Sequence, residues 1–162
     1  MHKAILLLGG NMGDRVMLLN EAQNAILKLG SLISESAIYE SEAWGFDSES
    51  NFINKVIVVS TNLKPYDLLK ELQKIELKMG RIKNGNGYES RSIDIDILFY
   101  DNEIIDKTDL QIPHIHIDNR LFTLKCLLDI DPEYIHYTKG QSISELNKNC
   151  TDKTKVWEYK YA

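Results

Sequence analysis

The sequence predicts an α+β fold in which two helices pack on one face of an antiparallel sheet. Its apolar segments follow one another in the order strand, helix, strand, strand, helix, strand, and glycines mark the ends of both helices. The sixth segment alternates isoleucine with aspartate, which is the period of a strand. This order is the split βαβ, or ferredoxin-like, pattern. Two right-handed crossovers should stack both helices on one face and leave the other face for the aspartates and loops, with additions at the C-terminal end.

The first half of the chain supplies the first strand, the first helix and the second strand. Residues 3–8 form an apolar run that ends at the turn from Gly9 to Gly13, and Asp14 can then cap a helix. Gly30 fits the residue after this helix, and a strand is expected over residues 33–39. The turn lacks the glycine spacing of phosphate-binding loops, so it is either a tight turn or a loop whose asparagine holds another segment. The apolar stripe of the helix consists of Leu18, Ala22, Ala25, Ile26 and Leu29.

The second half begins with a long β-branched strand over residues 52–61. Pro65 opens the second helix and Gly80 closes it. A basic, glycine-rich loop at residues 81–88 leads into the aspartate strand at residues 91–100. The core-facing stripe of the second helix consists of Leu68, Leu72, Ile75 and Met79. The remaining chain predicts a turn at 101–102, a strand at 103–105, a helix from 118 or 119 to 128, a short helix at 142–146 and a last strand at 155–159.

The most informative feature is the aspartate pair of the last core strand. Strand alternation puts Asp94 and Asp96 on one face and Ile93, Ile95 and Ile97 on the other, where they can pack against helices. The two aspartates are separated by roughly 6.5 Å at Cα, so their side chains can converge on a hard cation such as Mg²⁺. The alternative is an ordinary solvent-facing pair, although like charges on one face repel each other and aspartate is rare in strands.

Length and composition bound the function classes. The chain has 162 residues, of which 43% are hydrophobic, and a formal net charge of -5. One domain over residues 1–162 is expected, and the acidic charge argues against broad nucleic-acid binding. No apolar run approaches a membrane span and the N-terminal apolar stretch is too short for a signal peptide, so we expect a cytoplasmic protein without a membrane partner. Cys126 and Cys150 fit no zinc-ligand spacing and are expected to be reduced structural thiols.

Several segments together resemble the 6-hydroxymethyl-7,8-dihydropterin pyrophosphokinase family. The resemblance extends from about residue 4 to about residue 132, and its specificity comes from the order and spacing of the segments rather than from any one of them. The segments are Gly9 to Asn11, Phe52 to Asn54, Gln73 to Glu76, Gly80 to Lys83, Arg91 to Leu98, Ile112 to His116 and Asn119 to Phe122.

This resemblance implies an enzyme of folate biosynthesis. Members of the family transfer the β,γ-diphosphate of ATP to the hydroxymethyl oxygen of the reduced pterin and release AMP. The family's paired aspartates correspond to Asp94 and Asp96, which implies two Mg²⁺ ions as cofactors and a two-metal clamp on an in-line displacement. The hydroxyl of the substrate, made more acidic by a bound metal ion, would lose its proton with the help of Asp96. The expected partners are ATP and the pterin only, and the protein is expected to be a monomer.

The resemblance also assigns site residues. The catalytic set would be Arg81, Arg91, Asp94 and Asp96. The ATP-binding set would be Gln73, Glu76, Lys83, Tyr88, Arg91, Ile97, Gln111, His114 and Arg120. The pterin-binding set would be Ser41, Glu42, Trp44, Phe52, Asn54, Asp94 and Phe122, in which two aromatic rings stack on a flat bicycle. Gln73 and Glu76 lie three residues apart on a helix and are expected to point together.

Four departures from the family pattern bear on the loops around the site. The family often has tryptophan where this chain has Tyr88, and proline where it has Ser90. It often has a threonine–proline pair in place of Ser41 and Glu42, and tyrosine in place of Ile115. These differences affect loop closure and the details of the pterin and adenine contacts. Gly85 and Gly87 make the loop before the aspartate strand pliant, and we predict a lid that orders only when both substrates are bound.

Two other classes of protein share parts of this pattern. Palm-type nucleotidyl transferases and cyclases also place paired aspartates on such a sheet, but a template-dependent member should carry a basic groove, which an acidic chain does not favour. A regulatory module with this fold would have no use for the aspartate pair. Diphosphate transfer accounts for the pair and for the cationic residues around it.

Overall fold

The computed structural model of the chain describes residues 1–42, 51–80, 82–83, 89–90 and 92–160. Its helices are α1 (Arg15–Ile26), α2 (Pro65–Lys78), α3 (Leu121–Ile130) and α4 (Ile143–Asn149). Its strands are β1 (His2–Gly10), β2 (Gly30–Glu35), β3 (Tyr39–Ser41), β4 (Phe52–Thr61), β5 (Ile82–Lys83), β6 (Glu89–Ser90), β7 (Asp94–Tyr100), β8 (Ile105–Asp106), β9 (Gln111–Ile112), β10 (Ile135–His136), β11 (Gln141–Ser142) and β12 (Val156–Glu158).

The main sheet is antiparallel and runs in the order β12, β3, β4, β1, β7, with β2 also paired to β4. The first strand, β1, lies between β4 and β7. Its register places Gly9 beside Asn54 on one side and beside Asp94 on the other, and it places Leu7 beside Asp96. The glycine end of β1 therefore stands between the aspartate strand and the start of β4.

Both faces of the sheet are covered. On one face, Leu6 and Leu8 of β1 pack with Leu19 of α1 and with Leu68 and Leu72 of α2, as the predicted crossovers require. The expectation that the other face is left to aspartates and loops is wrong in part, because α3 and α4 pack on it. The contacts there involve Ile5, Leu7, Phe99, Leu124, Leu127 and Ile143. The uninterrupted apolar run of β1 agrees with this, since a strand buried on both faces has no polar alternation.

Several boundaries differ from the sequence prediction; the aspartate strand, for example, begins at Asp94 and not at residue 91. Two of the differences have a cause in the contacts of the fold. The strand expected over residues 33–39 is divided into β2 and β3, because the Ser36 hydroxyl accepts from the Val56 N–H at 2.9 Å and donates to the Ala37 carbonyl at 2.7 Å. The third helix begins at Leu121 rather than at residue 118 or 119. Its first amide donates to Asp152, 31 residues further along the chain, and a local capping signal could not indicate that partner.

Other predicted features of the elements are confirmed. Asp14 caps α1 by accepting from the Met17 N–H at 3.2 Å, and Pro65 is the first residue of α2. Gly80 follows α2 with a φ of 100°, a conformation that favours glycine. Cys126 is a buried free thiol and Cys150 a partly exposed one. Among the helices of the described segments, none has the length and apolar character needed to cross a membrane.

A buried histidine makes the stability of the fold depend on pH. His136 is 2% exposed, its ring lies 5.2 Å from that of Phe99 between centroids, and burial lowers its pKa below the ordinary 6.5. Lys139 lowers the pKa further, whereas Asp118 acts in the opposite direction. In the unfolded chain the imidazole is free to take up a proton near pH 6.5, which the folded state does only at lower pH.

We therefore expect the free energy of unfolding to fall as the pH drops below 6.5, by at most about 1.4 kcal/mol per pH unit for this one proton. The variant His136→Phe should lack this contribution, because phenylalanine fills the site without titrating. Urea unfolding of both proteins between pH 5 and pH 8 measures the effect. Stability profiles that run parallel over that range would contradict the role of His136.

Candidate active site

The aspartate strand has the two faces that its alternation predicts. Ile93, Ile95 and Ile97 are 2%, 4% and 4% exposed and belong to the core beneath α1 and α2. Asp94 and Asp96 are half-buried and lie on the same face as Leu7, which is the face that α3 covers. The carboxylates therefore stand in a recess between the sheet and the start of α3 rather than on an open surface.

The backbone of the aspartate strand is held from α2. The carboxylate of Glu76, which is 5% exposed, accepts a hydrogen bond from the Ile95 N–H at 3.1 Å. Ile95 lies between the two aspartates, so this bond fixes the strand at the position that sets their spacing. Gln73, one turn earlier on α2, is exposed, and the two side chains occupy different environments although they lie on one side of the helix.

A cavity of about 240 Å³ opens beside the aspartates, and we refer to it as the aromatic cavity. It is lined by Leu7, Gly9, Ser41, Glu42, Phe52, Asn54, Asp94, Asp96, Arg120 and Phe122. Phe52 and Phe122 supply aromatic area, while Ser41 and Asn54 are polar side chains with 1% and 5% exposure. The Asn54 Nδ2 atom is buried and has no hydrogen-bond partner among the described residues. A ligand with an acceptor at its edge would satisfy this donor.

A second cavity, of about 270 Å³, lies along β7 on the side away from β1, and we refer to it as the edge cavity. It is lined by Leu69, Ile95, Asp96, Ile97, Thr108, Asp109, Leu110, Gln111 and His114. Asp96 lines both cavities, so they adjoin each other at this residue. Two ligands bound side by side would have their nearest atoms at this aspartate.

His114 directly follows the cis Ile112–Pro113 peptide bond, and hydrogen bonds to its backbone and its ring hold it in place. Its N–H donates to the Leu98 carbonyl at 2.9 Å, and its Nδ1 accepts from the His116 N–H at 3.1 Å. Burial lowers the pKa of His114, with the charge of Asp96 acting against this and that of Arg120 adding to it. The imidazole is therefore neutral at pH 7 and can act as a hydrogen-bonding group at the edge cavity.

The structure brings together most of the assigned residues that it describes. Ser41, Glu42, Phe52, Asn54, Asp94 and Phe122 all line the aromatic cavity, and Ile97, Gln111 and His114 line the edge cavity. Arg120, assigned to the nucleotide, lines the aromatic cavity instead. The assignments of Trp44, Arg81, Tyr88 and Arg91, of the side chain of Lys83, and of the lid around Gly85 and Gly87 lie outside the described residues.

Sequence reasoning missed several lining residues. Leu7 and Gly9 belong to the aromatic cavity because β1 lies next to the aspartate strand, and only the strand order indicates this. Thr108, Asp109 and Leu110 belong to the edge cavity, and their closeness in sequence to Gln111 was the signal that could have found them. The Gly-Gly-Asn segment therefore contributes to the site through Gly9. Any side chain at this position would collide with Asn54.

The carboxylate pair fits magnesium by the chemistry of its donors. No cluster of three or more His, Cys, Asp or Glu side chains able to hold a metal occurs among the residues that the structure describes. A cation at Asp94 and Asp96 would take its remaining ligands from water and from substrate oxygens. Mg²⁺ favours this arrangement, since it prefers one or two carboxylates together with waters and phosphate oxygens. The fold and the site thus define an enzyme that transfers a phosphorus-containing group between two small molecules.

Comparison with known proteins identifies the family. The model of the 7,8-dihydro-6-hydroxymethylpterin-pyrophosphokinase (HPPK) family matches residues 5–132. The chain is 36% identical over 144 residues to the 2-amino-4-hydroxy-6-hydroxymethyldihydropteridine pyrophosphokinase of Aquifex aeolicus, with 89% of each chain covered. It is 36% identical over 154 residues to the enzyme of the same name from Haemophilus influenzae, with 94% of this chain and 95% of that one covered. The chain therefore belongs to the HPPK family, and by class it is an ATP-dependent diphosphotransferase.

Solved structures agree with the fold. The wild-type HPPK-DHPS of Plasmodium falciparum, crystallised with pteroate, superposes with a TM-score of 0.71 at 21% sequence identity over 91% of this chain. The match covers 42% of the Plasmodium chain, so the present chain spans less than half of that protein. At this level of identity the likeness concerns the fold, and it supports the mixed arrangement of an antiparallel sheet with helices.

Proposed function

We propose that the protein transfers the β,γ-diphosphate of ATP to the hydroxymethyl oxygen of 6-hydroxymethyl-7,8-dihydropterin, giving the pterin diphosphate and AMP in folate biosynthesis. The observation that carries this proposal is the meeting of two cavities of different character at Asp96. Membership of the HPPK family supports the same assignment. One cavity would hold the pterin, the other the nucleotide, and the transferred group would pass between them at the aspartate pair.

The aromatic cavity suits the pterin. Phe52 and Phe122 offer flat apolar surfaces to a bicyclic ring, and Asn54 and Ser41 offer polar groups to its edge. The buried Nδ2 of Asn54, which lacks a partner among the described residues, would donate to the ring. Glu42 lies at the exposed rim and is proposed to close this side of the pocket together with Trp44.

The edge cavity suits the nucleotide. Ile97, Gln111 and His114 line it, and they would contact the base and the phosphates. Arg120 lines the aromatic cavity with the aspartates, its charge acts on His114 of the edge cavity, and it is proposed to meet the transferred diphosphate. The remaining nucleotide contacts are proposed from the family motif alone, at Gln73, Glu76, Arg81, Lys83, Tyr88 and Arg91.

Asp94 and Asp96 would hold two Mg²⁺ ions, which would supply positive charge to offset that of the phosphates. The hydroxymethyl oxygen bonds to the β-phosphorus as the bond from that phosphorus to the oxygen bridging to the α-phosphorus breaks, so AMP keeps the bridging oxygen. The carboxylate of Asp96, at the junction of the cavities, is proposed to accept the hydroxyl proton. The cavities hold the two reactants in line, and most of the rate acceleration would come from this positioning and from charge stabilisation.

We further infer a ferredoxin-like core within one domain over residues 1–162. Its support is the order β7, β1, β4, with β2 and β3 paired one after the other along β4, which is the order a split βαβ pattern produces. The apolar clusters on the two faces of the main sheet both contain residues of that sheet, so neither cluster could form without it. The monomeric state and the cytoplasmic location stay predictions.

Incubation with ATP, Mg²⁺ and the reduced hydroxymethylpterin tests the proposed function. We expect AMP and the pterin diphosphate in equal amounts, separated by chromatography and identified by ³¹P NMR. Omitting the pterin or chelating Mg²⁺ should abolish both products, since each supplies an essential part of the reaction. Release of inorganic diphosphate would instead indicate a nucleotidyl transferase or cyclase, and an absence of turnover would indicate a regulatory module.

A further inference from the structure

Residues 152–159, which we refer to as the C-terminal strap, contact two walls of the aromatic cavity. They lie beyond the residues that the family model matches, which end at 132. At one end the Asp152 carboxylate accepts from the Leu121 N–H, with 2.9 Å between Oδ2 and N. In the middle, the backbone N–H of Lys155 donates to Glu42 Oε1 at 2.9 Å, and the Glu42 N–H donates to the Lys155 carbonyl at 3.2 Å. The strap therefore connects α3 with β3 and Glu42.

Asp152 supplies the cap that α3 does not supply from its own sequence. The N-cap residue, Arg120, makes no capping hydrogen bond with its side chain among the described residues. The acceptor is the Asp152 carboxylate, which is placed by two bonds from Thr154: the N–H donates to Oδ1 at 2.9 Å and the hydroxyl donates to it at 2.6 Å. A carboxylate at this position both satisfies a first-turn amide and interacts favourably with the helix dipole.

The ionised form of Asp152 predominates at neutral pH. Burial raises the pKa of this carboxyl, but the hydrogen bonds from Thr154 and from the Leu121 N–H outweigh burial and leave the pKa below its ordinary 3.8. The charged acceptor is thus present throughout the pH range in which the protein would work. Its hydrogen bond to Leu121 is of the stronger, charge-assisted kind.

The capped amide lies between two residues of the site. Arg120 and Phe122 flank Leu121, and both line the aromatic cavity. The Arg120 carbonyl accepts from the N–H groups of Thr123 at 3.1 Å and Leu124 at 3.3 Å, which ties the first turn to Arg120. Asp152 holds this turn from outside the helix. The direction in which the side chains of Arg120 and Phe122 leave the backbone therefore depends on where Leu121 is held. Phe122 would lie against the pterin ring, and a shift of its backbone would change the width of the slot.

The other half of the strap holds the opposite wall. Strand β12 pairs with β3, placing Val156 beside Ser41 and Trp157 beside Glu40. The Trp157 indole N–H donates to Glu40 Oε1 at 2.9 Å, while Glu40 Oε2 accepts from the Arg15 guanidinium at 2.8 Å. Ser41 and Glu42 of this wall line the same cavity that α3 closes from the other side. The strap therefore spans the distance between the two walls and sets it.

We propose that Asp152 is a positioning residue for the pterin: by holding the Leu121 amide it fixes the start of α3, and with it the places of Arg120 and Phe122 in the aromatic cavity. The inference rests on the proposed function for the identity of the ligand. Asp152 itself would not touch the substrate. Its effect through Phe122 would appear in pterin binding, and its effect on the nucleotide would be limited to the contact of Arg120 with the transferred diphosphate, because the edge cavity is lined by other segments.

The variant Asp152→Ala should weaken binding of the reduced pterin by about 10-fold, a change typical of the loss of a helix cap. Binding of AMP, which lacks the diphosphate that Arg120 is proposed to meet, should stay within about twofold of wild type. Asp152→Asn should recover only part of the pterin affinity, since its single side-chain oxygen can accept from the Leu121 N–H or from Thr154 but not from both. Ligand titrations followed by the quenching of protein fluorescence give both constants without any turnover.

Ser142→Ala is the matched control. It removes a side-chain cap of the same kind, in which Ser142 Oγ accepts from the Glu145 N–H at 3.1 Å. This cap belongs to α4, which packs in the same core but lines neither cavity. It should lower the melting temperature as Asp152→Ala does and leave pterin binding unchanged. Equal pterin affinities in wild type, Asp152→Ala and Ser142→Ala would overturn the inference and leave Asp152 a purely structural residue.

A ligand-free measurement separates this inference from the proposed function. Deuterium uptake by the segment 119–124 should increase in Asp152→Ala and not in Ser142→Ala, because only the first loses the bond that protects the Leu121 amide. If the wild type does not bind the reduced pterin, the proposed function is wrong, whatever the uptake shows. Unchanged uptake in Asp152→Ala would overturn the positioning role even if the function is correct.

Discussion

Replacement of Asp96 by asparagine is expected to lower the rate of AMP formation by roughly 10²–10³-fold, the loss typical of removing one preorganised charge from a transition state. Asparagine has the same shape and keeps one oxygen, but it carries no charge to hold a cation and cannot take up the hydroxyl proton. Among the residues that the structure describes, Asp96 alone lines both cavities. The effect should fall on turnover, while the pterin still binds among the aromatic and amide groups of its cavity.

The measurement compares single-turnover rates of AMP formation with pterin affinity measured separately. Asp106→Asn makes the same change in net charge at an exposed residue of β8 and should leave the rate unaltered. Raising the Mg²⁺ concentration should partly restore Asp96→Asn if the lost charge served mainly to hold a cation. AMP formation at the wild-type rate, with pterin binding intact, would remove Asp96 from its assigned role.

The elements that the sequence predicts best are those whose signals are local. The bounds of β4 and the first residue of α2 follow from a β-branched run and from Pro65, and the structure confirms both. The alternation of Ile93, Asp94, Ile95 and Asp96 likewise determines which side chains are buried, because the period of a strand leaves no other choice. Local chemistry alone decides these features.

The features that sequence reasoning missed depend on partners that are distant in the chain. The start of α3 is set by Asp152, and the break between β2 and β3 is set where the Ser36 hydroxyl meets the Val56 amide. The packing of α3 and α4 on the second face of the sheet was indicated only by the purely apolar sequence of β1. A short apolar run of this kind is equally typical of a strand buried on both faces and of a buried helix segment. Tertiary contacts decide these features, and no pattern within one segment contains them.

The candidate site divides in the same way. Motif spacing assigned Phe52, Asn54 and Phe122 to one ligand, and the structure gathers them around one cavity. The family resemblance includes the segment from Gly9 to Asn11, but it assigned Gly9 no role at the site, because Gly9 comes from another strand. Its contribution is a matter of space: β1 must pass close to Asn54 for the cavity to have its shape, and only glycine leaves room there.

Gly9→Ala is accordingly expected to weaken binding of the reduced pterin by about 5-fold to 150-fold, the range that corresponds to a lost or misdirected buried hydrogen bond. A methyl group at this position would lie 2.1 Å from Asn54 Oδ1 and 3.1 Å from Asn54 Cγ, so the amide must rotate or move away. Asn54 is 5% exposed, and its displaced amide could no longer offer Nδ2 to the ring edge. Binding of ATP should change little, because Gly9 lines the aromatic cavity and not the edge cavity.

Gly140→Ala serves as the control for this prediction. Gly140 has a φ of 67° and nothing among the described atoms within 4 Å of an added Cβ, so alanine there strains the backbone and leaves the cavities as they are. It should cost about 1 kcal/mol of stability and no pterin affinity. Titration of both variants with the pterin and with ATP separates loss of the amide from loss of stability. If Gly9→Ala binds the pterin as wild type does, Asn54 does not hold the ring edge, since its amide cannot keep its present position beside a methyl group 2.1 Å away.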